Sequence, residues 1–216
     1  AGAQAFATGS ASRAAALGYE DGECIPFELL LRIVERITAS VNVPVTVDFE
    51  SGFARAPSDL LRNTVRVLET GAVGVNFEDQ KIGGDGLYSV DEQCERISAL
   101  LSAASSIGRR LFVNARTELF LRSDHHADML ENAIARGQAY AKAGAHGFFV
   151  PGLTDAMHIR RVRGEVDLPI NVMATDASPG IAELNRLGVA RVSYGPAPYR
   201  RMHKVLAEQA GAAISL

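Results

Sequence analysis

Segment 45–54, VTVDFESGFA, places two carboxylates, Asp48 and Glu50, at the end of an apolar run. A buried strand does not end in acids unless something there favours negative charge. Two later runs end in a similar way, as Asn76-Phe77-Glu78-Asp79 and Asn114-Ala115-Arg116-Thr117-Glu118. Strand side chains alternate faces, so Asp48 shares a face with Glu50, Asn76 with Glu78, and Asn114 with Arg116. Where those faces meet, Asp48, Glu50 and Glu78 converge with the guanidinium of Arg116. Close carboxylates repel one another and take up protons unless a cation relieves them. Oxygen donors without paired His or Cys favour Mg²⁺, with Mn²⁺ as the alternative, over Zn²⁺. Mg²⁺ keeps several waters, so part of this set would reach it only through water. The rival arrangement is a group of buried ion pairs to Arg116 with no metal. One arginine against three acids leaves negative charge uncompensated in a partly dry site, which is costly.

The elements that must position these residues follow from apolar runs alternating with amphipathic stretches. Strands are expected at 4–9, 43–49, 73–78, 111–116, 147–151, 169–174 and 190–194. Helices are expected at 26–40, 57–70, 90–106, 126–143, 154–164, 179–187 and 197–210. Strand-then-helix alternation along a whole chain predicts a parallel sheet with helices outside. Pro26, Pro57 and Pro179 suit first helical turns, and Ser89 and Ser178 suit N-caps. The segments AGAQAFA (1–7), TGAVGVNF (70–77), AGAHGFFV (143–150) and LGVARVSY (187–194) each read as a glycine closing a helix, followed by a strand. That alternation predicts a (β/α)8 barrel in one domain over 1–216. If Gly2 closes a helix, the first βα unit lies before residue 1, and seven strands become eight. The alternative is an open doubly wound sheet, but no strand is followed by a glycine-rich dinucleotide fingerprint. In a barrel the site lies at the carboxyl ends of the strands, where these acids fall.

The 216 residues carry a formal charge of −3 with no basic block, which argues against nucleic acid as a partner. No apolar run reaches the roughly 18 residues of a membrane helix. Cys24 and Cys94 lack metal-site spacing and are read as reduced thiols in a cytoplasmic protein.

Five segments carry a resemblance: ATGSASRAAALGYEDGE (7–23), PVTVDFESGFA (44–54), GAVGVNFEDQ (71–80), VNARTE (113–118) and GAHGFFVPGL (144–153). In order and spacing they resemble the phosphoenolpyruvate mutase/isocitrate lyase superfamily over essentially the whole chain. The resemblance implies an α/β barrel that assembles as a homo-oligomer, dimer or tetramer, with helices exchanged between subunits. It implies Mg²⁺ and an enolpyruvate-like intermediate in making or breaking C–C or P–C bonds of small 2-oxo or 2-hydroxy carboxylates. Carried over, Asp48 matches the direct metal ligand, and Glu50, Glu78 and Asp21 match acids that hold the metal through water. Arg116 matches the substrate-contacting arginine, and Ser10 and Ala11 match the residues whose amides hold a substrate carboxylate. Arg116, Asp48 and Glu78 are thus the expected catalytic set.

The departures are informative. The lyase branch carries a Lys-Lys-Cys-Gly-His loop where this chain reads EDQKIGGDGLYS (78–89), with neither Cys nor His. The mutase and hydrolase branch carries a Lys after Glu-Asp and a Pro-Lys-x-Asn-Ser stretch; here Gln80 takes that place, Lys81 is one residue late, and no such stretch follows. Pro151 stands where the mutase has a histidine. The glycines of GGDG (83–86) predict an active-site lid rather than a phosphate loop. His125 and His126 read as solvated, and YGPAPYRR (194–201) as a plain helix start. Glu118 either pairs near Arg116 or lines the pocket. The expected activity is an Mg²⁺-dependent C–C lyase. The alternatives are a P–C bond mutase or hydrolase and a non-catalytic dicarboxylate binder.

Overall fold

Seven short runs rich in β-branched and aromatic residues form seven parallel strands. They are β1 (Phe6–Ala7), β2 (Val45–Asp48), β3 (Gly74–Glu78), β4 (Phe112–Arg116), β5 (Gly147–Val150), β6 (Ile170–Met173) and β7 (Arg191–Ser193). Each pairs with its successor, so the sheet order is β1-β2-β3-β4-β5-β6-β7. The computed structural model describes residues 2–122 and 126–214, without the side chains of 126–128. His125 therefore lies outside the described residues, as does the side chain of His126.

Alternation sorts the two faces of the sheet. Val47, Phe49, Val75, Phe77, Val113, Ala115, Phe148, Val150, Ile170 and Val172 all join one apolar core beneath the helices. The residues between them turn to the other face. Register aligns these inner residues in two rows. One runs Asp48–Asn76–Asn114–Gly147 and the other Glu78–Arg116–Phe149–Asn171–Arg191. In a flat sheet, five strand spacings would separate β2 from β7 by about 24 Å. Yet the charge of Asp48 acts on Arg191 of β7. The sheet is therefore curled into a parallel half-barrel with a polar inner face. Sequential order with no reversal point removes the doubly wound alternative.

The helices are α1 (Ser10–Ala16), α2 (Phe27–Ser40), α3 (Pro57–Glu69), α4 (Val90–Ser106), α5 (His126–Lys142), α6 (Ala156–Glu165), α7 (Ile181–Arg186) and α8 (Ala197–Ile214). Their buried stripes follow helical spacing, as in Leu60, Thr64, Val67 and Leu68 of α3. Ser89 begins α4 with a reciprocal capping box to Glu92. Ser178 does not cap a helix; Gly180 holds the N-cap of α7, and the Ser178 hydroxyl accepts from the Thr175 N–H instead. Gly144 and Gly188 take φ of 96° and 80°. The residues after them donate back to the carbonyls of Tyr140 and Leu184, closing α5 and α7 as the sequence predicts.

Helix α1 is not anticipated by the sequence pattern. Its seven residues, SASRAAA, offer no apolar stripe to read. At the far end, no residue of α8 is buried, and Met202, Val205 and Leu206 are exposed on it. Among the described residues no helix is long and apolar enough to cross a membrane.

Candidate active site

Strand β2 ends at Asp48, which is 7% exposed. Its Oδ2 accepts from the backbone N–H of Ser10, the first residue of α1, at 3.1 Å. Its Oδ1 is buried and has no hydrogen-bond partner. Two residues on, Glu50 adopts a left-handed φ of 52°, a strained conformation for a non-glycine residue that concentrates at functional sites. A clasp holds it there. Glu23 N–H donates to Glu50 Oε2 at 2.6 Å, while Glu23 Oε1 accepts from the N–H groups of Ser51 and Phe53.

The other Glu50 oxygen receives Arg13 Nη2 at 3.2 Å. Arg13 is a site residue that the sequence reading missed. It lies in the unforeseen α1, its side chain is only 6% exposed, and it also reaches the Asp48 carbonyl. This corrects the expectation of a single guanidinium. It also changes the role expected of Glu50, because both its oxygens already have protein donors. Burial nevertheless pushes the Glu50 carboxyl up to about 7; the Glu23 amide opposes the rise, Asp48 and Asp21 add to it, and Arg13 opposes it.

Around Arg116 the balance is different. Its Nε donates to Glu118, its Nη1 lies 3.4 Å from Glu78 Oε2, and the same Nη1 lies 3.9 Å from Asp48 Oδ1. Three carboxylates therefore share one guanidinium, and the third is Glu118 rather than Glu50. Burial alone would lower Arg116, but Glu78, Glu118 and Asp48 override it and hold the guanidinium charged. Burial lifts Glu78 well above the carboxylate range; Arg116 opposes this, and Glu118 and Asp48 reinforce it. The bond between Arg116 and Glu118 settles the question left open for Glu118.

Asp79, fully buried, fixes this corner. It accepts from Glu118 N–H at 3.0 Å, Arg136 Nη1 at 3.0 Å and the Tyr140 hydroxyl at 2.9 Å. The carboxyl ends of β3 and β4 are thus tied to α5.

A family profile described as phosphoenolpyruvate phosphomutase matches residues 1–214. The chain belongs to the phosphoenolpyruvate mutase/isocitrate lyase superfamily. It is 28% identical to 2-methylisocitrate lyase of Escherichia coli strain K12 over 211 residues, covering 92% of this chain and 69% of that protein. A solved structure from Burkholderia cenocepacia J2315, described as a "putative phosphonomutase", superposes with a TM-score of 0.93 at 43% identity, covering 97% of this chain and 86% of the other. A phosphonopyruvate hydrolase solved with oxalate and Mg²⁺ shares the fold, with a TM-score of 0.83 at 22% identity over 96% of this chain and 73% of that one. Against a Mycobacterium tuberculosis relative, 34% identical over 164 residues, the chain spans 58% of the relative's length.

In this superfamily member the segment expected as a lid forms a small hairpin, with Gln80 and Leu87 bridged antiparallel. Arg55 Nη2 donates to the carbonyls of Ile82 and Gly83. Lys81 turns toward Glu92 at 3.7 Å and the Tyr88 ring. Asp21 is exposed, but its charge acts on both Arg13 and Glu50.

Among the described residues no group of three or more His, Cys, Asp or Glu side chains is placed to hold a metal ion by itself. A hard cation that keeps most of its waters does not need one. The buried, unpartnered Asp48 Oδ1 beside two further carboxylates is a donor set that fits Mg²⁺.

Proposed function

We propose that this protein is an Mg²⁺-dependent lyase acting on a small 2-oxo or 2-hydroxy carboxylate. One observation carries the reading: Asp48, Glu78 and Glu118 share a single guanidinium at the carboxyl ends of the strands, and Asp48 Oδ1 is buried without a donor. Asp48 would hold the metal directly, with Glu78, Asp21 and, once released from its clasp, Glu50 acting through water; Mn²⁺ would serve in place of Mg²⁺. Bound there, the metal would supply Lewis-acid withdrawal of charge from the substrate's keto and carboxylate oxygens.

The chain's own groups do the rest. Arg116, held charged and braced by Glu118, is a preorganised donor to an enolate oxygen in a dry site. The Ser10 N–H is occupied by Asp48, so the Ala11 amide is the member of that pair left to bind a substrate carboxylate. The similarity to 2-methylisocitrate lyase supports C–C rather than P–C chemistry. The P–C reading keeps the same site and draws on the 43% identity to the Burkholderia protein.

The reading includes an eighth strand closing the barrel between β1 and β7. It also includes a homo-oligomer in which the apolar stripe Met202, Val205 and Leu206 of α8 packs on a second copy. Incubation of the protein and Mg²⁺ with oxaloacetate, substituted malates, isocitrate and phosphonopyruvate tests the activity. Pyruvate or glyoxylate release, abolished by chelation and by Asp48→Asn, is expected. Phosphate release would move the assignment to P–C chemistry, and metal-independent turnover would overturn it.

A further inference from the structure

Helix α1 brings two groups to the acids that end β2. The Ser10 N–H donates to Asp48 Oδ2, and Arg13, one turn later, donates to Glu50 Oε1 at 3.2 Å and to the Asp48 carbonyl at 3.5 Å. The Arg13 side chain is only 6% exposed. Burial works against its charge, and the opposing pull comes from Glu50, Asp48 and Asp21, in that order. All three belong to the acid set assigned above to the metal, and Arg116 pairs with the fourth, Glu78. Two guanidinium groups therefore divide between them the acids that a dication would use. The pairing of Arg13 is incomplete in one respect. Its Nε is buried without a hydrogen-bond partner, and such an orphaned donor is costly. Arg136 shows the contrast, since its Nε and Nη1 reach Asn132, Asp79, the Tyr88 carbonyl and Tyr140. Arg13 is held by the charge of the acids rather than by a full set of acceptors.

We propose that Arg13 is a resident counter-cation of the metal site, which competes with the divalent cation for Glu50 and so lowers the affinity for metal. The inference rests on the site reading above and adds a control on that same site. Arg13 is a positioning residue that acts through Glu50. While the ion pair stands, the charge of Glu50 is neutralised from α1. Releasing Glu50 to the metal's water shell breaks that pair. It also leaves a guanidinium and a dication, two like charges, in one partly dry corner. Both effects weaken metal binding. A purely structural brace predicts the opposite sign, because its loss would loosen Asp48 and Glu50 together.

Mn²⁺ titration of the full chain, followed by electron paramagnetic resonance without oxalate, reads that sign. Alkaline buffer favours ionised Glu50, and a Tm on each sample confirms folding. Arg13→Met is expected to bind Mn²⁺ at least about tenfold more tightly than the wild type, although its ligand-free Tm is lower. Arg13→Gln keeps a donor for Glu50 without the charge. It is expected to tighten binding as well, and it serves where Arg13→Met does not fold. Arg13→Lys restores the charge and is expected to return the affinity towards that of the wild type. Glu50→Gln is expected to weaken Mn²⁺ binding more in the Arg13→Met background than in the wild type. Unchanged or weaker binding by folded Arg13→Met and Arg13→Gln, beside a wild type that binds, overturns the inference. Equal weakening by Glu50→Gln in both backgrounds also overturns it. No Mn²⁺ binding by the wild type or any Arg13 variant is a different result, as is binding that survives Asp48→Asn in the Arg13→Met background. Either overturns the site reading, and the inference falls with it.

Discussion

Glu50 joins the clearest departure from ordinary side-chain chemistry to a simple test. Its carboxyl is lifted from the usual 4.5 to about 7, so the folded protein holds a proton there that the unfolded chain releases. Between about pH 4.5 and 7 the native state binds more protons, and stability falls as pH rises through that window. The contribution is complete below the unfolded value and amounts to up to about 3 kcal/mol. Urea denaturation of the metal-free protein across this range should show that loss, and Glu50→Gln should flatten it. Arg13 gives a paired prediction. Arg13→Met leaves Glu50 buried without its cation and should cost about 3 kcal/mol. Adding Glu50→Gln should recover most of that loss, whereas simple additivity of the two changes would show that the pair is not coupled. Asp48, Glu78 and Arg116 were legible in the sequence because each ends an apolar run. Arg13 was not, since it sits in an alanine-rich stretch with its partner 37 residues away.

At the scale of elements, the strand-then-helix rhythm follows from periodicity, and the register then fixes which acids meet. What periodicity cannot supply is the tie between elements. Asp79 is an example, because its three donors come from the β4 turn and from α5. Tyr140→Phe removes one donor and should cost about 1–2 kcal/mol. Asp79→Ala leaves Arg136 buried and unpaired and should cost about 3–5 kcal/mol. Because Asp79 also holds the Glu118 amide, its loss should lower kcat more than it raises KM. Chemical denaturation and steady-state kinetics on the same variants check both effects; a destabilised Asp79→Ala with unchanged kcat would separate this corner from the chemistry. The capping box gives a smaller test of the same kind. Ser89→Ala should cost about 1 kcal/mol with kinetics unaltered, as Ser89 begins α4 just beyond the hairpin bridged by Gln80 and Leu87.

Across the whole molecule, the open issues are charge and association. The exposed apolar stripe of α8 should hold copies together, so light scattering should report an oligomer, with Leu206→Glu shifting it toward monomer. A monomeric wild type would leave α8 without the proposed role. The central claim is electrostatic: a dication would relieve the three acids around one guanidinium, with Asp48 as its proposed ligand. The most direct test is Mn²⁺ titration followed by electron paramagnetic resonance, with oxalate present. The wild type should bind one Mn²⁺ per chain, displaced by Mg²⁺, and Asp48→Asn should bind none. Equal binding by Asp48→Asn, or no binding by a folded wild type, would contradict the account.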